Sequence, residues 1–414
     1  VFNTLGFDRG DVVCLGELEA EALEDAAGNR YAVQQTAQGA VAYLERLPSK
    51  GYVTLRASAA AAAPSPFLRR DEHHLETPYY SVAFDENGRL SSLFDKEYDR
   101  ELLRPGRTGN RLRVYEDKPI YYDNWDIDRY YTEKSYDVDH PVSMTWTEDG
   151  PVRATLALRY EFCGCAIHQN IRFYANTRRI DFESTVDWKL HQHLLKAEFP
   201  LDIHTDEATF EIQFGNVTRK VHSNTSWDKA RFESCAQKWM DYSEGNYGVS
   251  LLNDCKYGFS VHENNIDITL MRAPICPDPT GDIGYNEFTY SLVPHAATWQ
   301  EAGISELAYA LNNPPAVVYS AVGSHDGEQL ISVKRKGVVL DAFKKAQNDD
   351  GYILRVFEAY SSRGKCEIDF CKAIESVTEC NLMEKDGEAL SHCEKSFVFD
   401  IKPNEVRTFR IKFK

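Results

Sequence analysis

The stretch YGVSLLNDCKYGFSVHENNIDITLM, residues 247–271, decides the fold. Apolar and polar residues alternate along it with a period of two, which is typical of half-buried β-strands. Turns are predicted at residues 254–258 and at Asn264-Asn265, where Gly and Asn favour tight turns. A loop rich in Pro, Asp and Gly at 274–282 interrupts the pattern, and another strand is predicted from Phe288. The stretch therefore predicts a meander of neighbouring antiparallel strands.

The strand pattern continues on the N-terminal side of this stretch. YYSVAFDENGRLSSLFD at 79–95 predicts a hairpin, because Asn87-Gly88 suits a tight turn between two alternating segments. RATLALRYEFCGCAIHQNIRFYANTRRIDFESTVDW at 153–188 predicts three more strands. No convincing long helix is predicted between about residue 77 and residue 312. This part of the chain therefore predicts a large antiparallel sandwich.

Two breaks in the pattern predict three domains. ASAAAAAPSP at 57–66 reads as a linker, since its prolines stop a helix, and NNPP at 312–315 marks a second boundary. Short strands at even spacing on both sides predict smaller β-sandwiches there. We expect a small β-sandwich domain at 1–66, the large β-domain at 67–312 and a C-terminal β-sandwich at 313–414. The predicted fold class is all-β.

Composition limits the classes of partner. The chain has 64 acidic and 47 basic residues and a formal charge of −17, which argues against nucleic acid or an anionic membrane as a partner. No apolar run approaches the roughly 20 residues that cross a bilayer. The opening VFNTLGFDRGDVV has no basic segment followed by an apolar core, so no secretory signal is predicted. We expect a piece of a longer protein that begins inside a strand.

The ten cysteines show no CxxC pair and no regular framework. Without further Cys or His residues at a fixed spacing they predict no zinc site. We interpret them as buried free thiols in a reducing cytoplasm. They are Cys14, Cys163, Cys165, Cys235, Cys255, Cys276, Cys366, Cys371, Cys380 and Cys393.

Several segments together resemble one enzyme family. They are VFNTLGFDRGDVV (1–13), YYDNWDID (121–128), DWKLHQHLLKAEFPLDI (187–203), NTSWDKARFESCAQKWMDYSE (224–244), FTYSLVPHAATW (288–299) and ILRVFEAYSSRG (353–364). The chain resembles the C-terminal, non-barrel half of glycoside hydrolase family 38 α-mannosidases, in the branch of bacterial and cytosolic enzymes. The resemblance covers nearly the whole chain.

The resemblance implies a galactose mutarotase-like β-supersandwich flanked by smaller β-sandwiches. It implies retaining hydrolysis of α-mannosides by a carboxylate nucleophile, a general acid and a zinc ion that binds sugar hydroxyls. In relatives those groups belong to an N-terminal α/β barrel, and none of their motifs occurs here, so no catalytic or metal residue is assigned. The implied partners are an α-mannoside or oligosaccharide substrate and the chain's own catalytic barrel, in the cytoplasm. Homo-oligomerisation stays open.

The best candidate for substrate contact is EDKPIYYDNWDID at 116–128. Its aromatic side chains offer flat apolar faces and its carboxylates offer hydrogen-bond acceptors, the mixture that holds a sugar ring. In related enzymes the matching loop lies toward the barrel. The alternative is a loop that only packs between domains. The predicted substrate-binding residues are Tyr121, Tyr122, Asp123, Trp125 and Asp126.

Other candidates have weaker signals. His191 and His193 would point the same way in a strand and could chelate a metal, but no third ligand is identifiable, so packing is the favoured interpretation. His295, after Pro294, is interpreted as a structural histidine. The turn at 254–257 with Arg272 on a nearby strand is a candidate because function often sits on turns of rigid scaffolds. Arg363 in SSRGK is a further candidate hydroxyl or carboxylate clamp.

Two classes of function follow. The first is the C-terminal β portion of an α-mannosidase, which supports the barrel, is a candidate to line the substrate cleft and is inactive alone. The second is a free-standing carbohydrate-binding or mutarotase-like β-sandwich. A portion parted from its barrel should expose an apolar face and self-associate, whereas a binding module should stay monomeric and bind free sugar.

Overall fold

The computed structural model describes residues 1–59, 65–69, 71–320, 327–348 and 351–414. The described chain divides into two compact units. The first unit comprises Val1–Ala63, Ile212–Val217 and Ser305–Lys414, and the second unit comprises Pro64–Glu211 and Thr218–Ile304. No helix among these described ranges is long and apolar enough to cross a membrane.

Strands account for nearly all of the regular structure, and the helices are short. Up to residue 59 the strands are β1 (Phe2–Asn3), β2 (Arg9–Gly16), β3 (Ala22–Asp25), β4 (Arg30–Thr36), β5 (Gly39–Leu47), β6 (Gly51–Tyr52) and β7 (Leu55–Ser58).

From residue 65 to residue 304 the elements are β8 (Leu68–Arg69), β9 (His74–Glu76), β10 (Tyr80–Phe84), β11 (Leu90–Asp95), β12 (Arg100–Glu101), β13 (Arg111–Glu116), the 3₁₀-helix η1 (Arg129–Glu133), β14 (Ser135–Asp137), β15 (Ser143–Asp149), β16 (Arg153–Phe162), β17 (Cys165–Tyr174), β18 (Ile180–Trp188), β19 (His193–Pro200), β20 (Glu207–Ile212), β21 (Gly215–Lys220), α1 (Ser226–Lys229), β22 (Ser234–Cys235), β23 (Trp239–Glu244), β24 (Tyr247–Asn253), β25 (Gly258–His262), β26 (Asn265–Arg272), β27 (Gly284–Ala296) and α2 (Trp299–Ala302).

The remaining elements are α3 (Ile304–Asn312), β28 (Glu328–Gln329), β29 (Ile331–Val333), β30 (Val338–Lys345), β31 (Tyr352–Glu358), β32 (Gly364–Phe370), β33 (Ile374–Cys380), β34 (Asp386–Leu390), β35 (Ser396–Ile401) and β36 (Val406–Phe413).

Two large antiparallel sheets form the second unit's sandwich. One sheet has the order β15-β16-β17-β18-β27-β24-β23-β20-β21, and the other has the order β14-β13-β19-β26-β25-β22. A smaller sheet has the order β12-β11-β10-β9-β8. The predicted all-β fold class is confirmed.

Aromatic rings fill the space between the two large sheets. Phe182 on β18 stacks on Tyr290 of β27 with 4.9 Å between ring centroids, and it meets Phe199 of β19 at 5.6 Å. A buried polar triangle lies beside these rings: Asn110 donates to Gln169, Gln169 donates to the Tyr290 hydroxyl, and Tyr290 donates to Asn110. Because every donor in this triangle finds an acceptor, the sandwich interior carries these polar groups without an unpaired atom.

The predicted meander at 247–271 is wrong in its connectivity. Strands β25 and β26 form a hairpin as expected. Strand β24, however, pairs with β23 and β27 in the nine-stranded sheet, so the turn at 254–257 carries the chain from one sheet of the sandwich to the other. Alternation with a period of two is the same for a hairpin partner and for a strand of the facing sheet, so the sequence pattern could not distinguish them.

The α3 helix was missed by the sequence analysis. A capping box precedes it, in which Thr298 and Glu301 bond each other's backbone at the start of α2, and Gly303 closes α2 in the left-handed conformation with φ 72°. The capping box and the glycine are helix boundary signals that can be recognised in a sequence. Ile304 and Ala308 of α3 are fully buried.

The described part of the first unit contains several apolar clusters, and the two largest of those named here belong to separate groups of strands. Strands β2 to β7 except β6 form one sheet around Val13, Leu44 and Leu47. Strands β29 to β36 form two sheets that enclose a second cluster, which includes Ile368 and Phe409. The unit thus joins residues from both ends of the chain. The proposed three domains at 1–66, 67–312 and 313–414 remain a prediction.

The interpretation of the cysteines is only partly right. All ten are free thiols, but only Cys165, Cys366 and Cys380 are buried. Cys163 lies in the two-residue turn between β16 and β17 with φ 48°, so it does not share a strand face with Cys165. Apolar residues next to a cysteine in the sequence therefore do not imply that the cysteine is buried.

Removing the Tyr290 hydroxyl tests the polar triangle. Tyr290→Phe leaves Asn110 and Gln169 with unpaired buried groups and should lower the free energy of unfolding by about 1–3 kcal/mol. Tyr285→Phe on the same strand is the control, since Tyr285 is 69% exposed. Urea unfolding followed by fluorescence measures both variants, and equal stabilities would contradict the account.

Thiol labelling tests the burial of the cysteines. Burial raises the pKa of Cys366 to about 12. Cys255 is an exposed residue, but partial burial of its thiol together with the Asp254 carboxylate raises its pKa to about 12 as well. Since the thiolate is the reactive form, both should react with iodoacetamide at pH 8 far more slowly than the exposed Cys163. Peptide mass spectrometry of the folded chain measures the rates. Labelling of Cys366 as fast as Cys163 would refute the assignment.

Candidate functional site

The candidate site lies where three loops leave one edge of the six-stranded sheet. β13 and β26 both flank β19, with Glu116 opposite His193 and Arg272 opposite Leu194. Because the strands are antiparallel, the loop after β13, the loop before β19 and the loop after β26 emerge side by side. The fold therefore brings the segment 117–128 against 273–283.

Asp123 fixes these two loops together. Its carboxylate is 3% exposed and accepts hydrogen bonds from the backbone N–H of Ile275 at 2.9 Å and of Cys276 at 2.8 Å. Burial alone would raise the pKa of Asp123, but these N–H donors outweigh burial and hold the pKa below its usual range. Asp123 is therefore a charged clamp inside the site rather than an exposed acceptor.

Further bonds join the same two loops. The Asn124 N–H donates to the Cys276 carbonyl at 3.1 Å, and the Asn124 side-chain oxygen accepts from the Asp278 N–H at 3.0 Å. On the sheet side, Arg272 donates to Asp117 at 2.6 Å and also to the Asp126 carbonyl. Both ends of the loop are thus held by a charged side chain.

Asp117 is the most constrained carboxylate of the site. It is 1% exposed, and only its Oδ2 pairs with Arg272, whereas its Oδ1 is buried without a hydrogen-bond partner among the described residues. Burial raises the pKa of Asp117 above its usual range despite Arg272. The negative charges of Asp123 and Asp128 add to this rise.

The loops that the clamp joins expose several large apolar side chains, which we call the aromatic face. The Tyr122 and Trp125 ring centroids lie 5.2 Å apart, with an angle of 35° between the ring planes. The backbone N–H of Trp125 donates to the Tyr122 carbonyl at 2.8 Å. Trp125 is 74% exposed. The aromatic face consists of Ile120, Tyr121, Tyr122, Trp125 and Ile275.

The predicted site residues thus separate by position. Tyr121, Tyr122, Trp125 and Asp126 are exposed, whereas Asp123 is buried beneath them. The predicted grouping of Arg272 with the turn at 254–257 is wrong, because Arg272 donates to Asp117 and to the Asp126 carbonyl in the clamp. Its place could have been found from the sequence only with the β19–β26 register in hand.

The histidine candidates do not assemble a metal site. His193 faces the His191 carbonyl through Nδ1 at 2.7 Å, and His191 lies 3.5 Å from the Pro274 carbonyl. Among the described residues no group of three or more His, Cys, Asp or Glu side chains could hold a metal ion. His295 is buried against Asp241 at 2.8 Å with Ser250 at 3.3 Å, in agreement with a structural histidine.

The two remaining candidates are explained by local structure. Asp254 accepts the Thr289 N–H at 2.9 Å, and Lys256 lies over the Phe288 ring, so the turn at 254–257 is tied to β27. In the first unit, the fully buried Glu358 accepts the N–H and hydroxyl of Ser362, which shapes the SSRG loop. Arg363 of that loop is exposed.

Comparison with known proteins gives a consistent result. Two family models match, "Glycosyl hydrolases family 38 C-terminal domain" over residues 75–280 and "Glycosyl hydrolases family 38 C-terminal beta sandwich domain" over residues 337–409. The aromatic face and the clamp lie inside the first match.

Two of the curated relatives that the chain matches are named as α-mannosidases. The chain is 33% identical to alpha-mannosidase G of Dictyostelium discoideum, with 81% of this chain and 32% of that protein covered. It is 34% identical to human alpha-mannosidase 2C1, with 76% and 31% covered. The chain therefore spans about a third of the length of the curated relatives that it matches.

A solved structure shares the fold. An alpha-mannosidase from Enterococcus faecalis V583 superposes with a TM-score of 0.77 at 15% identity, over 99% of this chain and 55% of that chain. At this identity the likeness concerns the fold alone.

Replacing the buried carboxylate tests the clamp. Asp123→Asn turns one acceptor into an N–H₂ donor that faces a backbone N–H, so the Ile275 and Cys276 amides should exchange with deuterium faster, and the chain should lose about 1–3 kcal/mol of stability. The control is Asp126→Asn, since the Asp126 side chain is exposed. Unchanged exchange at 275 and 276 in Asp123→Asn would rule out the clamp.

Proposed function

Since the chain belongs to glycoside hydrolase family 38 as a C-terminal portion, we propose that it acts as the β-domain part of a retaining α-mannosidase that hydrolyses terminal α-mannosides. In this proposal it does not catalyse alone. It supports a catalytic domain carried by another part of the complete protein and presents one surface to the substrate.

The observation that carries the substrate contact is the aromatic face on a rigid clamp. Sugar rings bind to flat aromatic side chains through their apolar C–H faces and to carboxylates through their hydroxyls. Tyr122 and Trp125 offer such faces, and neither ring is covered by the described chain to more than half of its surface. A rigid platform limits the ordering cost of binding.

The residues then have distinct roles. Tyr121, Tyr122 and Trp125 stack against the sugar, and the exposed Asp126 accepts hydroxyl hydrogen bonds. Asp123 positions the platform from below through the backbone of 275 and 276. The role of this chain is to bind, orient and exclude water beside the reacting bond.

Metal and acid-base chemistry lie elsewhere in this proposal. Family 38 α-mannosidases are generally metal-dependent, but the described residues here offer no set of ligands that fits a zinc ion. We assign the zinc, the nucleophile and the general acid to the catalytic domain. No step of the hydrolysis is assigned to residues of this chain.

We also propose a cytoplasmic location for the complete protein. Ten free thiols agree with a reducing cytoplasm. The alternative role of the aromatic face is packing against the catalytic domain without contact to sugar.

Truncating the platform in the complete enzyme tests substrate contact. Trp125→Ala should lower kcat/KM for an aryl α-mannoside about tenfold, because roughly 1.4 kcal/mol of stacking is removed. Trp227→Ala is a matched control, since Trp227 on α1 is also 74% exposed. Steady-state kinetics and thermal unfolding are measured for both.

The two outcomes separate the roles of the aromatic face. A lower kcat/KM with an unchanged melting temperature supports substrate contact. A lower melting temperature with unchanged kcat/KM means that the face only packs between domains and defeats the proposal.

A further inference from the structure

A narrow cleft on the second unit is unusual for so acidic a chain. It lies between the end of β21, the segment around α1, and β25. Its only lining carboxylate among the described residues is Asp228, against three permanently charged cations. The charged and histidine residues that line this cationic cleft are Arg219, Lys220, His222, Asp228, Arg231 and His262.

Arg219 is the central cation of the cleft. Its guanidinium lies over the Phe210 ring, 4.7 Å from the centroid, and donates to the Cys235 carbonyl at 3.1 Å. In the described parts of the chain no carboxylate pairs with it. Burial accordingly lowers the pKa of Arg219 below its usual range. A half-buried guanidinium with most of its five N–H donors unused is poised to bind an anion.

This arrangement is an exception within the second unit. Every other described arginine there that is buried or half-buried has a carboxylate within salt-bridge distance. These arginines are Arg89, Arg100, Arg111, Arg113, Arg153, Arg172, Arg178, Arg179 and Arg272. With 64 acidic residues in the sequence, a missing counter-ion at Arg219 is not a consequence of composition.

Neighbouring ion pairs limit which residues of the cleft supply its positive charge. Lys220 already pairs with Asp206 at 3.1 Å and with Glu207 at 2.7 Å. His222 lies 3.4 Å from Asp228. Arg219 and Arg231 therefore supply the net positive charge, with the Ser223 and Ser234 hydroxyls as further lining donors.

Size restricts what the cleft accepts. Its inner space is about 10 Å³, enough for one oxygen atom of an anion whose remaining atoms lie outside this inner space, and too small for a sugar ring. A wider polar groove of about 340 Å³ adjoins it and shares Val221, His222, Ser223 and His262 with it. Asp206 and Glu263 line the groove and can accept hydrogen bonds from hydroxyls. An oxyanion in the cleft could thus be free or attached to a hydroxylated molecule in the groove.

We propose that the cationic cleft is a binding site for a phosphate-class oxyanion, with Arg219 and Arg231 as its charged ligands. The anion is either inorganic phosphate or the phosphoryl group of a sugar phosphate. This site involves neither the aromatic face nor the α-mannosidase activity proposed above, so its test stands apart from theirs.

Isothermal titration of the chain in chloride-free buffer tests the site with three probes: inorganic phosphate, a hexose 6-phosphate and the same hexose without phosphate. Saturable binding of phosphate is expected, and no binding of the neutral hexose. Tighter binding of the hexose phosphate identifies the sugar phosphate as the ligand, and equal binding identifies the free anion.

Variants test the ligands. Arg219→Gln should weaken phosphate binding at least about tenfold, as loss of a charge-assisted bidentate donor does. Arg231→Gln should weaken phosphate binding too. Because Arg231 is exposed, this variant provides the test if Arg219→Gln fails to fold. The control Arg159→Gln removes the same charge from an exposed pair with Glu161 and should bind phosphate normally. No saturable binding by the parent chain, or equal losses in all three variants, would overturn the proposal.

Discussion

Two backbone N–H groups that donate to one buried carboxylate, Asp123, are the contact on which the candidate site depends. A buried charge is stable only when hydrogen bonds replace its lost hydration. Here those donors come from a loop about 150 residues further along the chain, as the register of β13, β19 and β26 dictates. Hydrogen bonds to the buried Asp123 carboxylate thus tie the loop that carries the aromatic face to the loop after β26.

The site shows how a rigid β-scaffold carries function on its loops. The sheets bury their aromatic residues between them, while the loop after β13 turns its aromatic rings outward. A group of exposed apolar side chains on neighbouring loops is a candidate contact surface. The chain spans about a third of the length of its relatives, and under the proposed function this surface has two candidate occupants, a sugar and the catalytic domain.

The sequence was a good guide to element type and a poor guide to sheet membership. Alternation placed β24, β25, β26 and β27 correctly, and the segment 116–128 stood out by composition. The sequence pattern could not show that the turn at 254–257 connects two different sheets. Nor could it show that Asp123 is buried while Trp125 is exposed. Both features depend on contacts between residues that are far apart in the sequence. Residue type likewise did not predict the place of Arg272, which the fold alone brings to Asp117.

The most direct test is hydrolysis of an aryl α-mannoside by this purified 414-residue chain, with zinc or cobalt added and bound metal quantified in the same sample. The account predicts no turnover and no stoichiometric metal, because the chain supplies support and substrate contact but no catalytic groups. Turnover that a chelator abolishes would contradict it and would place the chemistry in this chain.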